Sequence, residues 1–162
     1  IRGLSGLPKP WQPPRPPLYM GGGGKRMLSL AARYADTVGI MPKALPNGYF
    51  DLSDADNEGT ARKIAWVREA AGERFADLEL NTLVMTVMLT EKDRLQAVEP
   101  FAARFGVSAE TLLGTQQSLA GSVEQICEDL WERRERFGIS YITTPAVNLE
   151  VFAPIIARLA SK

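Results

Sequence analysis

Apolar positions along the chain repeat with two spacings. One is a run or alternation over four to twelve residues, the mark of a strand. The other is a three- and four-residue step, the mark of a helix with one buried face. The first strand is Leu18-Tyr19-Met20, followed by a helix over 25–35 with Met27, Leu28, Leu30, Ala31, Tyr34 and Ala35 as its apolar positions. Thr37-Val38-Gly39-Ile40-Met41 reads as the second strand, and Pro42, Pro46, Asn47 and Gly48 then mark a loop running to about Asn57. A connection that long is either functional or mobile. Residues 60–71 repeat as a helix through Ile64, Val67 and Ala71, with Phe75 one turn on and Gly72 as its C-cap.

Residues 78–89 carry Val, Leu and Thr with few charges, which predicts one strand buried on both faces. A helix over 91–105 follows, with Leu95, Val98, Phe101, Ala102 and Phe105 apolar and Pro100 expected to kink or break it. Ser108 caps a short helix through Leu113. Ser122 and Gln125 form an S-x-x-Q capping box. The helix they open puts Ile126, Leu130 and Phe137 on one face and Glu128, Asp129, Glu132, Arg133 and Arg136 on the other, with Gly138 closing it. Ile139 to Thr143 is the last strand. Leu149 to Leu159 is the last helix, with Phe152, Ile155, Ile156 and Leu159 as its apolar face.

Strands and helices therefore alternate, which implies parallel strands joined by right-handed helical crossovers in an α/β fold. Four βα units are half of an eight-fold βα barrel, or else a small open doubly wound sheet. Residues 18–162 make up this domain. Residues 1–17 hold six prolines and form an extended lead or lid. Pro13-Pro14-Arg15-Pro16-Pro17 also fits a P-x-x-P ligand, although a stiff lead into the first strand accounts for it more simply.

Composition narrows the chemistry. The 162 residues, 45% of them hydrophobic, suffice for one domain with a core. Nineteen basic residues balance nineteen acidic ones, so no electrostatic footprint for nucleic acid or an anionic membrane is present. No apolar run is long enough to span a bilayer, and no signal-peptide pattern occurs. Cys127 is the single cysteine, which fits a reducing, cytoplasmic setting. The chain has no histidine, which excludes a His general base and any His-containing metal site within it. It opens on Ile1, not Met, and is expected to be a fragment of a longer protein.

The stretch with the most chemical content is Gly21-Gly22-Gly23-Gly24-Lys25-Arg26. It places unshielded backbone N–H groups at a helix N-terminus beside two cations, a natural seat for phosphate. A flexible turn with no ligand is the other reading. The run fails the P-loop pattern, because Tyr19 stands at its first glycine and Arg26 at its Ser/Thr. It also fails G-x-G-x-x-G, whose sixth position from Gly21 is Arg26. The acidic stretch Asp54 to Gly59 starts like a calcium loop, but Ala65 occupies the position of the bidentate Glu, so it reads as a solvated loop and helix start. Cys127, Trp66 and Trp131 read as packing residues, and Trp11 as a residue that could line a cleft.

Five stretches in order then carry a resemblance. They are Pro17-Leu18-Tyr19-Met20-Gly21-Gly22-Gly23-Gly24 with Leu30-Ala31-Ala32-Arg33-Tyr34-Ala35-Asp36; Ala61-Arg62-Lys63-Ile64; Val67-Arg68-Glu69-Ala70-Ala71-Gly72; Gly121-Ser122-Val123-Glu124-Gln125-Ile126; and Arg136-Phe137-Gly138-Ile139-Ser140-Tyr141. Together they resemble the luciferase-like monooxygenase superfamily, and within it the branch that uses the deazaflavin F420. The resemblance implies an eight-fold βα barrel of which this chain is strands five to eight. It implies hydride-transfer chemistry on F420, or alternatively on FMN, with a small-molecule substrate. It implies the cofactor phosphate on Gly21, Gly22, Gly23 and Gly24, with Lys25 and Arg26 assisting. Met41, Thr143 and Thr144, at predicted C-terminal strand ends, would face the pocket mouth.

The family's ring-binding residues belong to the first four strands, so the catalytic residues lie outside this stretch and the chain alone is catalytically incomplete. Half a barrel leaves the outer edges of strands five and eight unpaired and its inner face open. The chain is therefore expected to need its N-terminal half, a second copy or a rearranged packing, with homo-oligomerisation expected. No metal is implied. The rival reading is a non-catalytic half-barrel that only associates with a partner.

Overall fold

A computed structural model describes residues 6–9, 11–12 and 15–160. Pro10, Pro13 and Pro14 of the proline-rich lead, the last two being the first residues of the P-x-x-P motif, lie outside the described residues. The elements in chain order are β1 (Tyr19–Gly22), α1 (Lys25–Tyr34), β2 (Thr37–Ile40), α2 (Asn57–Ala71), β3 (Glu79–Leu83), β4 (Thr86–Leu89), α3 (Arg94–Phe105), α4 (Ala109–Leu113), β5 (Ser118–Gly121), α5 (Val123–Phe137), β6 (Ile139–Thr143) and α6 (Leu149–Ala160). Four strands form one parallel sheet in the order β1-β2-β3-β6, and β4 pairs with β5 in a second parallel pair. This is the half-barrel arrangement, a four-strand arc with helices on its outer face.

One core lies between the arc and its first two helices. Leu28, Ala31 and Ala32 of α1 and Ile64 and Val67 of α2 pack on Val38, Ile40, Leu80 and Ile139. Small residues on α1 let that helix sit close to the sheet. A second core joins α5 and α6 to Val84, Val87 and Leu119, and a third joins α3 and α4 to Ala120. Cys127 is buried in the second core, as a packing residue should be. Trp66 packs half-buried against the first.

The structure corrects the sequence reading at several points. Residues 78–89 are two strands in two sheets, not one. The chain changes partner at Val84 and Met85: the Val84 N–H donates to the carbonyl of Thr143, and the next N–H, that of Met85, to the carbonyl of Gln117. Strand β5, Ser-Leu-Ala-Gly, has no β-branched residue and no alternation to mark it as a strand; it is buried at every position. Pro100 sits inside an unbroken α3. It is exposed, so the helix carbonyl it leaves unbonded can turn to water. Leu95, Phe101 and Phe105 of that helix are exposed, and Val98 and Ala102 do the packing. Ile156 of α6 is likewise exposed.

Two charged positions read as solvated are buried. Asp54 is 4% exposed because Lys63, 1% exposed, reaches it from α2. Their ion pair spans 2.7 Å and Arg62 adds another at 2.8 Å. Arg133 of α5 is buried because it donates to the carbonyls of Thr115, Gln116 and Ser118 at the entry to β5.

Candidate functional site

The glycine run divides by position. Gly21 and Gly22 are the end of β1, Gly23 and Gly24 the turn, and Lys25 and Arg26 the first residues of α1. None of the four glycines has positive φ, so each is there for the side chain it lacks. A Cβ on Gly22 would lie 2.7 Å from Cγ of Met27, and one on Gly23 would overlap the carbonyl oxygen of Pro42. These two let the turn nest against α1 and against the chain leaving β2. Gly24 differs: a Cβ there meets nothing within 4 Å.

Gly24 is also the N-cap of α1, and no side chain caps that end. The contrast within the molecule is sharp. Asp56 caps α2, Asp93 caps α3, Ser108 caps α4 and Ser122 caps α5 with its full capping box. The first α1 bond runs from the Leu28 N–H to the Gly24 carbonyl, so the N–H groups of Gly24, Lys25, Arg26 and Met27 have no intrahelical acceptor. The first turn holds no acidic residue. Lys25 points sideways to Glu69 of α2, 3.1 Å away in an exposed pair. Arg26 is exposed beside the turn.

The other sequence-predicted positions are separate from this turn. Met41 follows β2, and its N–H donates to the carbonyl of Gly22, 3.1 Å away, so it is the closest of them to the glycines. Thr143 ends β6 and Thr144 follows it. Their hydroxyls donate to the carbonyls of Thr82 and Val84, and the Asn148 amide donates to the Thr144 oxygen. These hydroxyls fasten the chain where β3 gives way to β4. Trp11 is 96% exposed and lines neither of the clefts found among the described residues.

The inner face of the arc carries a layer that the sequence reading did not single out. Register aligns Gly21, Gly39, Asn81 and Tyr141 across the four strands. Because Gly39 lacks a side chain, the ring of Tyr19 lies across β2, and its hydroxyl donates to Oδ1 of Asn81 at 2.8 Å. The Asn81 amide donates in turn to the carbonyl of Tyr141. Burial raises the Tyr19 phenol above its ordinary pKa, and the neighbouring Tyr141 adds to this. Tyr19 and Tyr141 remain 52% and 42% exposed on the open face.

A cleft of about 730 Å³ opens between the long loop, the start of β4 and the end of α3. The long loop after β2 supplies Leu45, Tyr49 and Phe50, the strand break supplies Met85, and the end of α3 supplies Arg104 and Phe105. The signal was present in the sequence as aromatic residues inside a loop that has no core to join. Among the described residues no group of three or more acidic or cysteine side chains is arranged to hold a metal ion, and no helix is long and apolar enough to cross a membrane.

No family model and no curated protein matches the sequence. Solved structures do match the fold. A long-chain alkane monooxygenase (LadA) aligns at TM-score 0.62 and 12% identity over 91% of this chain and 41% of its own. A riboflavin lyase (RcaE), solved with modified FMN and its substrate riboflavin, aligns at 0.59 and 13% over 91% and 43%. The coenzyme F420-dependent tetrahydromethanopterin reductase of Methanopyrus kandleri aligns at 0.52 and 15% over 81% and 45%. The chain therefore shares the βα fold of part of these structures, and it spans less than half the length of each of the three.

Proposed function

We propose that this chain is the C-terminal part of an F420-dependent oxidoreductase that transfers hydride, and that it supplies the seat of the cofactor phosphate. The observation that carries this reading is the uncapped N-terminus of α1 behind an open Gly24. Four unpaired N–H groups at the positive end of a helix suit a phosphate, and an acidic cap there would repel one. Gly22 and Gly23 let the turn close up against Met27 and Pro42 behind the seat, Arg26 adds a cation, and Lys25 can leave its exposed partner Glu69 for a stronger one. F420 would supply the hydride carrier. The residues that clamp its ring belong to the half of the barrel outside this chain, which leaves the chain alone catalytically incomplete. The apolar cleft beside Met85 and Phe105 would form one wall for the substrate. FMN is the alternative cofactor, favoured by the neighbour solved with a modified FMN.

The test is a fluorescence titration with F420 and with FMN on the wild-type chain and on Gly24→Asp. Aspartate is a good N-cap, and a side chain at Gly24 meets no atom, so this variant keeps its stability within about 0.5 kcal/mol of wild type. It nevertheless sets a carboxylate where the phosphate would lie. Saturable binding by wild type, lost in Gly24→Asp at unchanged Tm, is the expected result. Wild type binding neither cofactor, or a variant binding as tightly as wild type, overturns the seat. Gly22 is a poorer site for this test, since any side chain there also collides with Met27.

A further inference from the structure

We propose that the cleft beside the end of α3 takes a substrate with a flat apolar body and one anionic group. Arg104 receives the anion. The loop that walls the cleft is a built structure. The Leu45 N–H donates to the Tyr49 carbonyl at 2.7 Å, the Gly48 N–H to the Leu45 carbonyl at 3.0 Å and the Asp51 N–H to the Lys43 carbonyl at 2.8 Å. An antiparallel bridge joins Ala44 to Phe50. Gly48 takes the positive φ that the turn needs, 84°. Leu45, Tyr49 and Phe50 are thereby held at the cleft, outside the three cores.

Apolar surface from three separate segments meets there. Leu45, Tyr49 and Phe50 come from the loop, Met85 from the strand break and Phe105 from α3, and all of them are exposed. Exposed apolar side chains gathered in one concavity mark a binding site, where scattered ones do not. Tyr49, Phe50 and Phe105 are aromatic, which suits a flat apolar body. The volume of about 730 Å³ lies within the roughly 300–1,000 Å³ of small-molecule sites. Two buried lining residues, Gln117 and Ser118, keep Oε1 and Oγ without a partner, which a finished apolar interior would not leave. The lining runs in sequence from Leu45 to Ser118 and includes neither outer strand of the sheet. The cleft is therefore walled by this chain itself.

Charge sets which apolar substrate fits. Arg104 and Asp51 are the charged residues of the lining. Asp51 is engaged: its Oδ1 accepts from both the N–H and the hydroxyl of Ser53. Arg104 is exposed and, among the described residues, has neither an ion pair nor a hydrogen bond. Its place in the last turn of α3 complements the helix dipole and leaves all its side-chain donors available. A free guanidinium at the rim of an apolar cleft matches a carboxylate or sulfonate on an apolar body. As a substrate site the cleft rests on the oxidoreductase reading above. As a binding site it is tested with no cofactor present, so failure of the phosphate seat leaves the result untouched.

Two fluorescent dyes separate the apolar part from the anionic part. Anilinonaphthalene sulfonate and N-phenylnaphthylamine share one aromatic skeleton, and only the first carries a sulfonate. Titrated into the 162-residue chain, both are expected to bind. Arg104→Gln weakens the sulfonate dye about tenfold, the effect of one charge-assisted hydrogen bond, and leaves the neutral dye within about twofold. Phe105→Ala removes apolar wall without touching charge, so it weakens both dyes by a similar factor. Leu30→Glu, on α1 outside the cleft, changes neither. All three sites are exposed, so each variant folds, which circular dichroism checks. The proposal is overturned by a wild type that binds neither dye, or by an Arg104→Gln variant that loses both dyes equally or neither. A Leu30→Glu variant weakened as much as Phe105→Ala would overturn it too.

Discussion

At the scale of single residues, the fold is pinned by charges placed where water is scarce. Lys63 is fully buried in α2, yet its ammonium reaches both a carboxylate oxygen and the carbonyl of Asp54. Burial pulls the Lys63 pKa down, and Asp54 pulls it part of the way back. Burial pushes the Asp54 carboxyl up, but its hydrogen bonds from Lys63 and Arg62 outweigh this and leave it below its ordinary value. Removing one partner leaves a buried charge, so Lys63→Met costs about 3–5 kcal/mol. Asp54→Leu combined with Lys63→Met restores most of that loss, because two apolar groups replace two charges. Urea midpoints of the two single variants and the double variant check this; additive losses would refute it. Asp36 tests the other sign of control. Its carboxylate accepts from Arg15 and from the Leu18 N–H, tying the lead to the start of β1. The Arg15 guanidinium, followed by the Leu18 N–H, holds its pKa down at about 2, from an ordinary 3.8. A depressed acid stabilises the fold above its unfolded value and loses that contribution as pH falls through the folded one. The wild-type acid-unfolding curve therefore steepens between about pH 4 and pH 2, and Asp36→Asn removes that component.

At the scale of elements, Gly39 and Tyr19 couple two strands to a third. A Cβ on Gly39 would overlap the Tyr19 hydroxyl oxygen and sit 2.9 Å from its Cζ. Gly39→Ala must then push the ring off β2 and break its bond to Asn81, a fully buried residue. Its cost is about 1–3 kcal/mol in the wild type and falls when Tyr19 is replaced by Leu. A double-mutant cycle by urea unfolding measures the difference, and a coupling near zero would show that the ring lies elsewhere. Local spacing makes α1, α2, α5 and α6 legible in the sequence, because each has one apolar stripe and a recognisable start or stop. Strand β5 is illegible there because its burial comes from α4, α5 and the packing of β4, none of which is local in sequence. The split of residues 78–89 is hidden for a related reason: both halves are buried, and only the partner changes. Arg133 reads as a surface residue by helical period, yet the carbonyls of Thr115, Gln116 and Ser118 draw it inward. At the site, the glycines announce an absence of side chains. Which of them serve packing and which leave open space depends on Met27 and Pro42, contacts the chain makes only once folded.

At the scale of the whole molecule, the half-barrel carries two open edges, and its stability is tied to whatever covers them. Its cores lie on the helix side of the arc, while the inner face offers tyrosines and an asparagine in place of the aliphatic layers that fill a closed barrel. A surface that pairs with those edges binds the folded arc and not the unfolded chain, so it raises the apparent stability by mass action. The Met27, Leu30 and Tyr34 flank of α1 is exposed and takes no part in the first core. Leu30→Glu on the isolated chain is therefore expected to cost no more than about 1 kcal/mol in urea unfolding. A larger loss, or a wild-type midpoint that rises with protein concentration, would show that this flank is already covered when the chain stands alone.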